Sequence, residues 1–290
     1  KKKFEITTLR KDIKTDGRHA VVEFTKNWVE DSKRRDFTIN AISCDFNGKL
    51  YDYHNGIRDL KNGKINFIGN TKKRIQEDYL RILRFFRFYT YYGKNNLSNT
   101  DLIICKYYSS CLKKLSVERI YAEFKKILEH NSSYKALNLM KKNNILKCII
   151  FGNPDLKKIE KLEKFDKNKT YLTFLLKLSA ILLGNKNAFM KTIKFLKLPN
   201  NEIKKMKKIF FMNKTFRLFN EKKDILKSVY IFGKDLFIDL VLIDYIKQKT
   251  NFGSTKKYIK AISLVKKVTL PKRYKSLLKL IRKELPKLSI

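Results

Sequence analysis

The residue pattern of this chain changes once, near position 70, and that change limits what it can fold into. Residues 4–69 read mostly as strands and turns. FEITTLR alternates, with Phe4, Ile6 and Thr8 on one side and Glu5, Thr7 and Leu9 on the other. A turn at residues 15–17 leads into a second strand, HAVVEFT. The stretch 30–42 reads as helical, SCDFNGKLYDYH as a hairpin around Asn47 and Gly48, and KINFIG as a short strand. From Thr71 onward nearly everything carries helical spacing. Ser116 is placed to cap VERIYAEFKKILEH. KALNLMKKNNIL, LKKIEKLEKF, TYLTFLLKLSAILL, NEIKKMKKIFF and SLLKLIRKEL follow, with no period of repeat length. An α+β chain is expected, with a small mixed unit followed by an all-helical arm.

Charge narrows the partners. The 290 residues carry 67 Lys+Arg against 27 Asp+Glu, a formal charge of +40. A surface that basic seeks phosphate, in nucleic acid first and in an anionic membrane second. AT-rich coding would also inflate lysine, along with the abundant Asn, Ile, Phe and Tyr, but it does not remove the field that lysine creates. The length suggests two or more compact units, and 43% hydrophobic content is enough for a sizeable core. Cys44, Cys105, Cys111 and Cys148 form no CxxC pair, and His19, His54 and His130 are the only histidines. That argues against a zinc site or a disulfide scaffold and for reduced, intracellular cysteine. No signal peptide or apolar run of spanning length stands out. The longest apolar stretch, 170–184, is interrupted by Lys177 and reads as a buried helix. The chain opens KKKFEITTLR, without Met and directly on a strand, so it is expected to begin inside a domain.

Residues 74–88, RIQEDYLRILRFFRF, hold the densest chemistry. On a continuous helix, Ile75, Tyr79, Ile82, Leu83 and Phe86 share an arc of roughly 100°. Arg74, Glu77, Asp78, Arg81 and Arg84 share an opposite arc of roughly 120°, and Arg87 lies about 60° off it. A solvated face with ordinary i,i+3 and i,i+4 ion pairs would look the same. A functional reading starts from donors and acceptors. A carboxylate only accepts hydrogen bonds and a guanidinium only donates. Cytosine and adenine each present an exocyclic amine beside a ring-nitrogen acceptor. Asp78 can take the amine and Arg81 the ring nitrogen. Uracil and guanine present the reverse order and would leave a charge unpaired. Upstream, RRDFTINAI (34–42) sets paired arginines beside an aspartate, which suits a phosphate and a sugar hydroxyl. DYHNGIRDL (52–60) is a turn containing Gly56.

FEITTLRKDIKTDGRHAVVEFT, RRDFTINAI, DYHNGIRDLKNGKINFIG, RIQEDYLRILRFFRF and LSVERIYAEFKKIL occur in this order. That series resembles the class II tRNA nucleotidyltransferases, the CCA-adding enzymes, which share their fold with bacterial poly(A) polymerases. The resemblance is close over residues 4–130 and fades beyond. It implies a partial nucleotidyltransferase palm followed by an all-helical neck, body and tail. The implied division is 1–69 for the remainder of the palm, 70–130 for the neck that recognises the base, and 131–290 for a tRNA-binding body and tail. It implies template-independent transfer of CMP and AMP from CTP and ATP to a tRNA 3′ end, with Mg²⁺, in the cytoplasm and without a membrane. Carried over by position, Arg35 would bind nucleotide and Asp36 would contact the ribose. Asp78 and Arg81 would read the base, and Arg84 and Arg87 would serve the nucleotide and its phosphates. Glu5 looks like the third carboxylate of the palm, catalytic and metal-linked. Residues 11–19 resemble a flexible loop.

The departures are specific. The family's metal-binding DxD and its glycine-arginine phosphate motif precede FEITTLR and are not in this sequence, so the chain alone is expected to be inactive. DYHNGIRDL departs from DPxGGxxDL, with Tyr53 in place of Pro and Asn55 in place of the first Gly. A poly(A) polymerase of the same fold, or a noncatalytic RNA-binding module, would share most of these motifs.

Overall fold

The computed structural model describes residues 7–15, 20–94, 97–166, 170–216, 218, 221–247 and 255–267. The chain divides into two compact units, residues 1–152 with 194–197, and residues 153–193 with 198–290. Among the described residues no helix is long and apolar enough to cross a membrane.

The first unit opens with two strands, β1 (Arg10–Thr15) and β2 (Ala20–Phe24), paired antiparallel from Arg10–Phe24 to Thr15–Ala20 with a shift in register between Asp12 and Lys14. Residues 11–15, expected to belong to a flexible loop, are therefore strand, and 16–19 lie outside the described residues. The residues from Lys11 to Ile13 can pair because Ala20–Phe24 offers a β-branched partner strand. Helix α1 (Trp28–Lys33) is capped by Asn27, whose side chain accepts from Val29 N at 2.9 Å. The expected helix over 30–42 ends here, and a single 3₁₀ turn follows at Thr38–Asn40. Strands β3 (Ser43–Cys44) and β4 (Leu50–Tyr51) form the expected hairpin, with Gly48 at φ 84°. KINFIG is no full strand; it contributes one bridge, Phe67 to Phe37. That bridge sits in an aromatic cluster. Phe37 lies 4.6 Å from Phe67, 5.1 Å from Phe88 and 6.3 Å from Phe85, ring centre to ring centre. Emptying such a position typically costs about 3–5 kcal/mol, so Phe37 anchors the segment that follows RRD.

Helix α2 (Gly56–Asn62) begins at Asn55, which is left-handed at φ 58°. Asparagine tolerates that conformation better than other residues with a Cβ, so the turn survives without the family's first glycine. The Asp52 carboxylate accepts from Gly56 N at 2.8 Å and from Ile57 N at 2.9 Å, which closes the helix start. Helices α3 (Thr71–Glu77), α4 (Leu80–Tyr92), α5 (Asn99–Tyr107), α6 (Val117–Glu129) and α7 (Ser133–Lys142) complete the unit. Ser116 does occupy the position before α6, but its side chain makes no capping bond.

The second unit contains α8 (Lys157–Phe165), α9 (Phe174–Leu182), α10 (Lys186–Phe195), α11 (Asn200–Met212), α12 (Lys222–Phe232), α13 (Lys234–Lys247) and α14 (Thr255–Lys267). The helix expected at SLLKLIRKEL lies outside the described residues. Helix α9 is buried at every position but Leu175, including Lys177, whose ammonium meets Glu163 at 3.1 Å. Burial drives the Lys177 pKa down against the pull of that carboxylate. Helix α13 is apolar on most sides and carries two buried aspartates, Asp239 paired with Lys205 at 2.8 Å and Asp244 accepting from Tyr258 at 3.0 Å.

Candidate nucleotide-binding site

The densest charge network of the first unit lies where α3 stops and α4 starts. Residues 74–88 are not one helix. Asp78 leaves the helical region at φ −154° and ψ 107°, and α4 restarts two residues later. Aspartate favours this break because its side chain competes for backbone amides. Asp78 Oδ1 accepts from Leu80 N at 3.1 Å, and the Asp78 carbonyl accepts from Arg81 N at 3.0 Å. The apolar arc still holds within α4, with Ile82, Leu83 and Phe86 fully buried. Phe85 and Leu80 are buried too, because α4 packs on more than one side.

Asp78 and Arg81 do not bond to each other. Asp78 Oδ2 accepts from Arg119 Nη2 of α6 at 2.7 Å. Arg81 gives Nη1 to Glu77 Oε2 at 2.5 Å and to the Arg74 carbonyl at 2.7 Å. Its Nε and Nη2 make no hydrogen bond with the described residues. Each Asp78 oxygen likewise keeps an unused acceptor direction. Burial pushes the Glu77 carboxyl upward, but hydrogen bonds from Arg81 and Arg74 outweigh it and hold the group below its ordinary value.

The RRD segment is tied to this turn by backbone. Arg74 donates Nε to the Ile68 carbonyl at 3.0 Å and Nη2 to the Arg35 carbonyl at 3.0 Å, with a further contact to the Lys33 carbonyl. Asp31, buried in α1, spreads its two oxygens between the paired arginines. Oδ1 accepts from Arg34 Nη2 at 2.6 Å and Oδ2 from Arg35 Nη2 at 2.7 Å. The Arg10 amide also reaches Oδ1, at 3.2 Å. Arg35 is partly exposed and keeps Nη1 free of any described partner. A cleft of about 310 Å³ borders this segment, lined by Lys11, Asp12, Arg34, Arg74 and Glu77 among others.

Asp36, for which the motif implies a ribose contact, is buried between the RRD segment and α4. It is only 5% exposed, and both oxygens are engaged. Oδ1 accepts from Asn40 Nδ2 at 2.9 Å and from Phe37 N at 3.1 Å, while Oδ2 pairs with Arg84 Nε. In this arrangement Asp36 is a joint between the RRD segment and α4. Arg87 pairs with Glu123 of α6, Nε to Oε2 at 2.8 Å but off the line of a hydrogen bond, and its guanidinium lies 4.5 Å over the Phe88 ring. Arg84 Nη1 is 4.0 Å from the same Glu123. Glu5 lies outside the described residues.

Three partners were missed from sequence: Asp31, Arg119 and Glu123. The last two stand one turn apart on α6, the i,i+4 spacing that brings side chains onto one face, in the fifth of the ordered motifs. Asp31 stands at i−3 and i−4 from the paired arginines, an equally readable spacing.

Residues 1–66 match the family model described as the poly A polymerase head domain. Residues 103–159 match the one described as a probable RNA and SrmB-binding site of polymerase A. Human CCA tRNA nucleotidyltransferase 1, mitochondrial, is 46% identical over 169 residues, 57% of this chain and 38% of the relative. The CCA-adding enzyme of Staphylococcus saprophyticus is 30% identical over 249 residues, 84% of this chain and 60% of the relative. The chain thus spans between about two fifths and three fifths of these relatives' length. The solved Bacillus stearothermophilus CCA-adding enzyme in complex with CTP superposes with a TM-score of 0.62 at 21% identity, covering 96% of this chain and 73% of that one. The fold is therefore that of this solved CCA-adding enzyme. Over the matched residues the chain is similar to CCA-adding enzymes and to the poly A polymerase head domain.

Proposed function

We propose that this chain is part of a CCA-adding tRNA nucleotidyltransferase that transfers CMP and AMP from CTP and ATP to a tRNA 3′ end without a nucleic-acid template. The observation that carries the reading is the turn at Asp78. A carboxylate with unused acceptor directions and a guanidinium with unused N–H groups stand three residues apart, each braced from behind by Arg119 and Glu77. Asp78 accepts the exocyclic amine of cytosine or adenine, and Arg81 donates to the neighbouring ring nitrogen. A carbonyl set against Asp78 would find no donor, a mismatch that costs about 2–3 kcal/mol for a charged group.

Arg35 serves the nucleotide's phosphates through its free Nη1, held in place by Asp31. Arg84 and Arg87 keep N–H groups beyond those their carboxylates take, and these are assigned to the nucleotide as well. In functional terms, residues 1–69 contribute to the palm, 70–130 form the base-reading neck and 131–290 bind tRNA. Mg²⁺ is assigned to the intact protein on motif resemblance, with Glu5 as the candidate ligand in this chain. Among the described residues no group of three or more His, Cys, Asp or Glu stands together to hold a metal ion. The cytoplasm is the proposed location; the human relative carries a mitochondrial name, and fractionation distinguishes the two.

The test uses tRNA lacking its CCA end. The intact protein is expected to restore CCA with CTP, ATP and Mg²⁺, whereas long A tracts would favour the poly(A) polymerase reading. Binding of tRNA by this chain should weaken steeply as salt rises, because a charge of +40 acts by counterion release. A flat salt response would contradict RNA backbone binding.

A further inference from the structure

We propose that Tyr107, Tyr108 and Tyr79 form a stacking platform for the unpaired 3′ end of the RNA substrate. This rests on the reading of the substrate as an RNA 3′ end, and it adds a contact in the first unit for the nucleotides that precede the growing point. The sequence sets the patch apart by charge. Between Asp101 and Glu118 there is no carboxylate, while Lys106, Lys113 and Lys114 all stand exposed there. Asp101 itself is buried and takes the Thr71 hydroxyl at 2.6 Å.

Helix α5 turns Asp101 and Cys105 inward and leaves Ile103 and Tyr107, one turn apart on its other side, 65% and 76% exposed. Large apolar groups exposed on consecutive turns mark a contact surface. Tyr107 is held in place by its neighbours. Its ring meets Tyr108 edge-on at 4.9 Å and 81°, and Tyr108 lies 6.1 Å from Tyr79 at 32°. The Lys114 ammonium stands 5.7 Å from the centre of the Tyr79 ring. A row of three rings therefore runs from solvent to the residue that follows Asp78, with lysines along it. Aromatic faces for bases and cations for phosphates, with no carboxylate between them, suit single-stranded nucleic acid. Paired bases in a duplex are stacked on one another and offer these rings no free face, whereas unpaired 3′ nucleotides do. Stacking also tolerates any base, which suits an end whose last base changes with each addition. Base choice then stays with Asp78 and Arg81, and the tyrosines hold the strand.

The test is equilibrium binding of this chain to an acceptor-stem RNA hairpin with an unpaired 3′ end and to the same hairpin cut blunt, at one salt concentration. Wild type is expected to prefer the unpaired end by about tenfold or more, the scale of one or two stacked bases. Tyr107→Ala should lose most of that preference, while its affinity for the blunt hairpin stays within about twofold of wild type. Tyr107→Phe should keep the preference, because stacking uses the ring and not the hydroxyl. The fluorescence of 2-aminopurine placed in the unpaired end should be quenched by wild type and by Tyr107→Phe, and less by Tyr107→Ala. Thermal unfolding of each variant is measured alongside; if Tyr107→Ala does not fold, Tyr107→Gln carries the same test. Equal weakening of both hairpins in Tyr107→Ala would overturn the platform. So would an unchanged preference for the unpaired end, which would leave the exposed face of α5 to a protein partner. A wild type that binds both hairpins alike would also overturn it, with the RNA reading intact. Failure of wild type to bind either hairpin would instead remove the RNA-substrate reading, and this inference with it.

Discussion

Asp36 and Arg84, 48 residues apart in sequence, form an ion pair that joins the RRD segment to α4. The carboxylate is buried and the guanidinium about a quarter exposed. Burial alone would raise the Asp36 pKa, but the bond and charge of Arg84 and the amide of Asn40 outweigh it and set the pKa below the ordinary aspartate value. A depressed carboxylate contributes stability that is present above its unfolded pKa, about 4, and lost as pH falls through the lower folded value. Asp36→Asn should cost about 3 kcal/mol at neutral pH, since it strands Arg84. It should also flatten the acid limb of stability against pH. Denaturant unfolding from pH 7 down to acid checks both; an unchanged acid limb would mean that Asp36 is not a joint.

Gly56 gives a prediction from shape alone. A Cβ built at this position would lie 2.2 Å from the Thr38 carbonyl oxygen. Thr38 cannot withdraw, because its hydroxyl donates to buried Asp59 at 2.6 Å. Gly56→Ala should therefore destabilise by about 2–3 kcal/mol through overpacking, although alanine is otherwise the better helix former. Unfolding midpoints measure it, and a neutral outcome would show that α2 can slide away from the RRD segment.

Much of this was legible in sequence, for identifiable reasons. The hairpin at Asn47 and Gly48 is local, and so is the helical spacing that gave the helical arm; the alternation read over 4–9 falls on residues 4–6, outside the described ones, and on 7–9, which form no strand because β1 starts at Arg10. The helix break at Asp78 was not read, because apolar spacing through Ile75, Ile82 and Phe86 suggests continuity and only the carboxylate's grip on Leu80 N ends α3. The burial of Asp36 was not read, because motifs report residue type and not burial, and its partner Arg84 is brought by tertiary packing. Arg119 and Asp31 had readable spacings but lacked partners until the helices were assembled. Residues 11–15 became strand because β2 was available to pair with them.

Asp239 provides a pH test in the second unit. Burial pushes its pKa from 3.8 up to about 6, against the pull of Lys205. A raised carboxylate binds its proton more tightly when folded. Its stabilising contribution is complete below the unfolded value and is lost as pH rises through about 6. Protection of α13 amides against hydrogen exchange, corrected for intrinsic rate, should fall over that window, and Asp239→Asn should remove the fall. Protection that rises with pH there would contradict the assignment.

The central claim is that Asp78 and Arg81 choose the base, and incorporation of each of the four nucleotides by the intact protein tests it most directly. Asp78→Ala should lose about 2–3 kcal/mol of discrimination, roughly 30- to 150-fold, as CTP and ATP use falls toward that of UTP and GTP. Arg84→Ala, compared at matched stability, should weaken all four about equally, because a phosphate contact carries no base information. Wild-type selectivity in Asp78→Ala, with a stability cost under about 1 kcal/mol, would show instead that Asp78 and Arg119 are an ordinary ion pair.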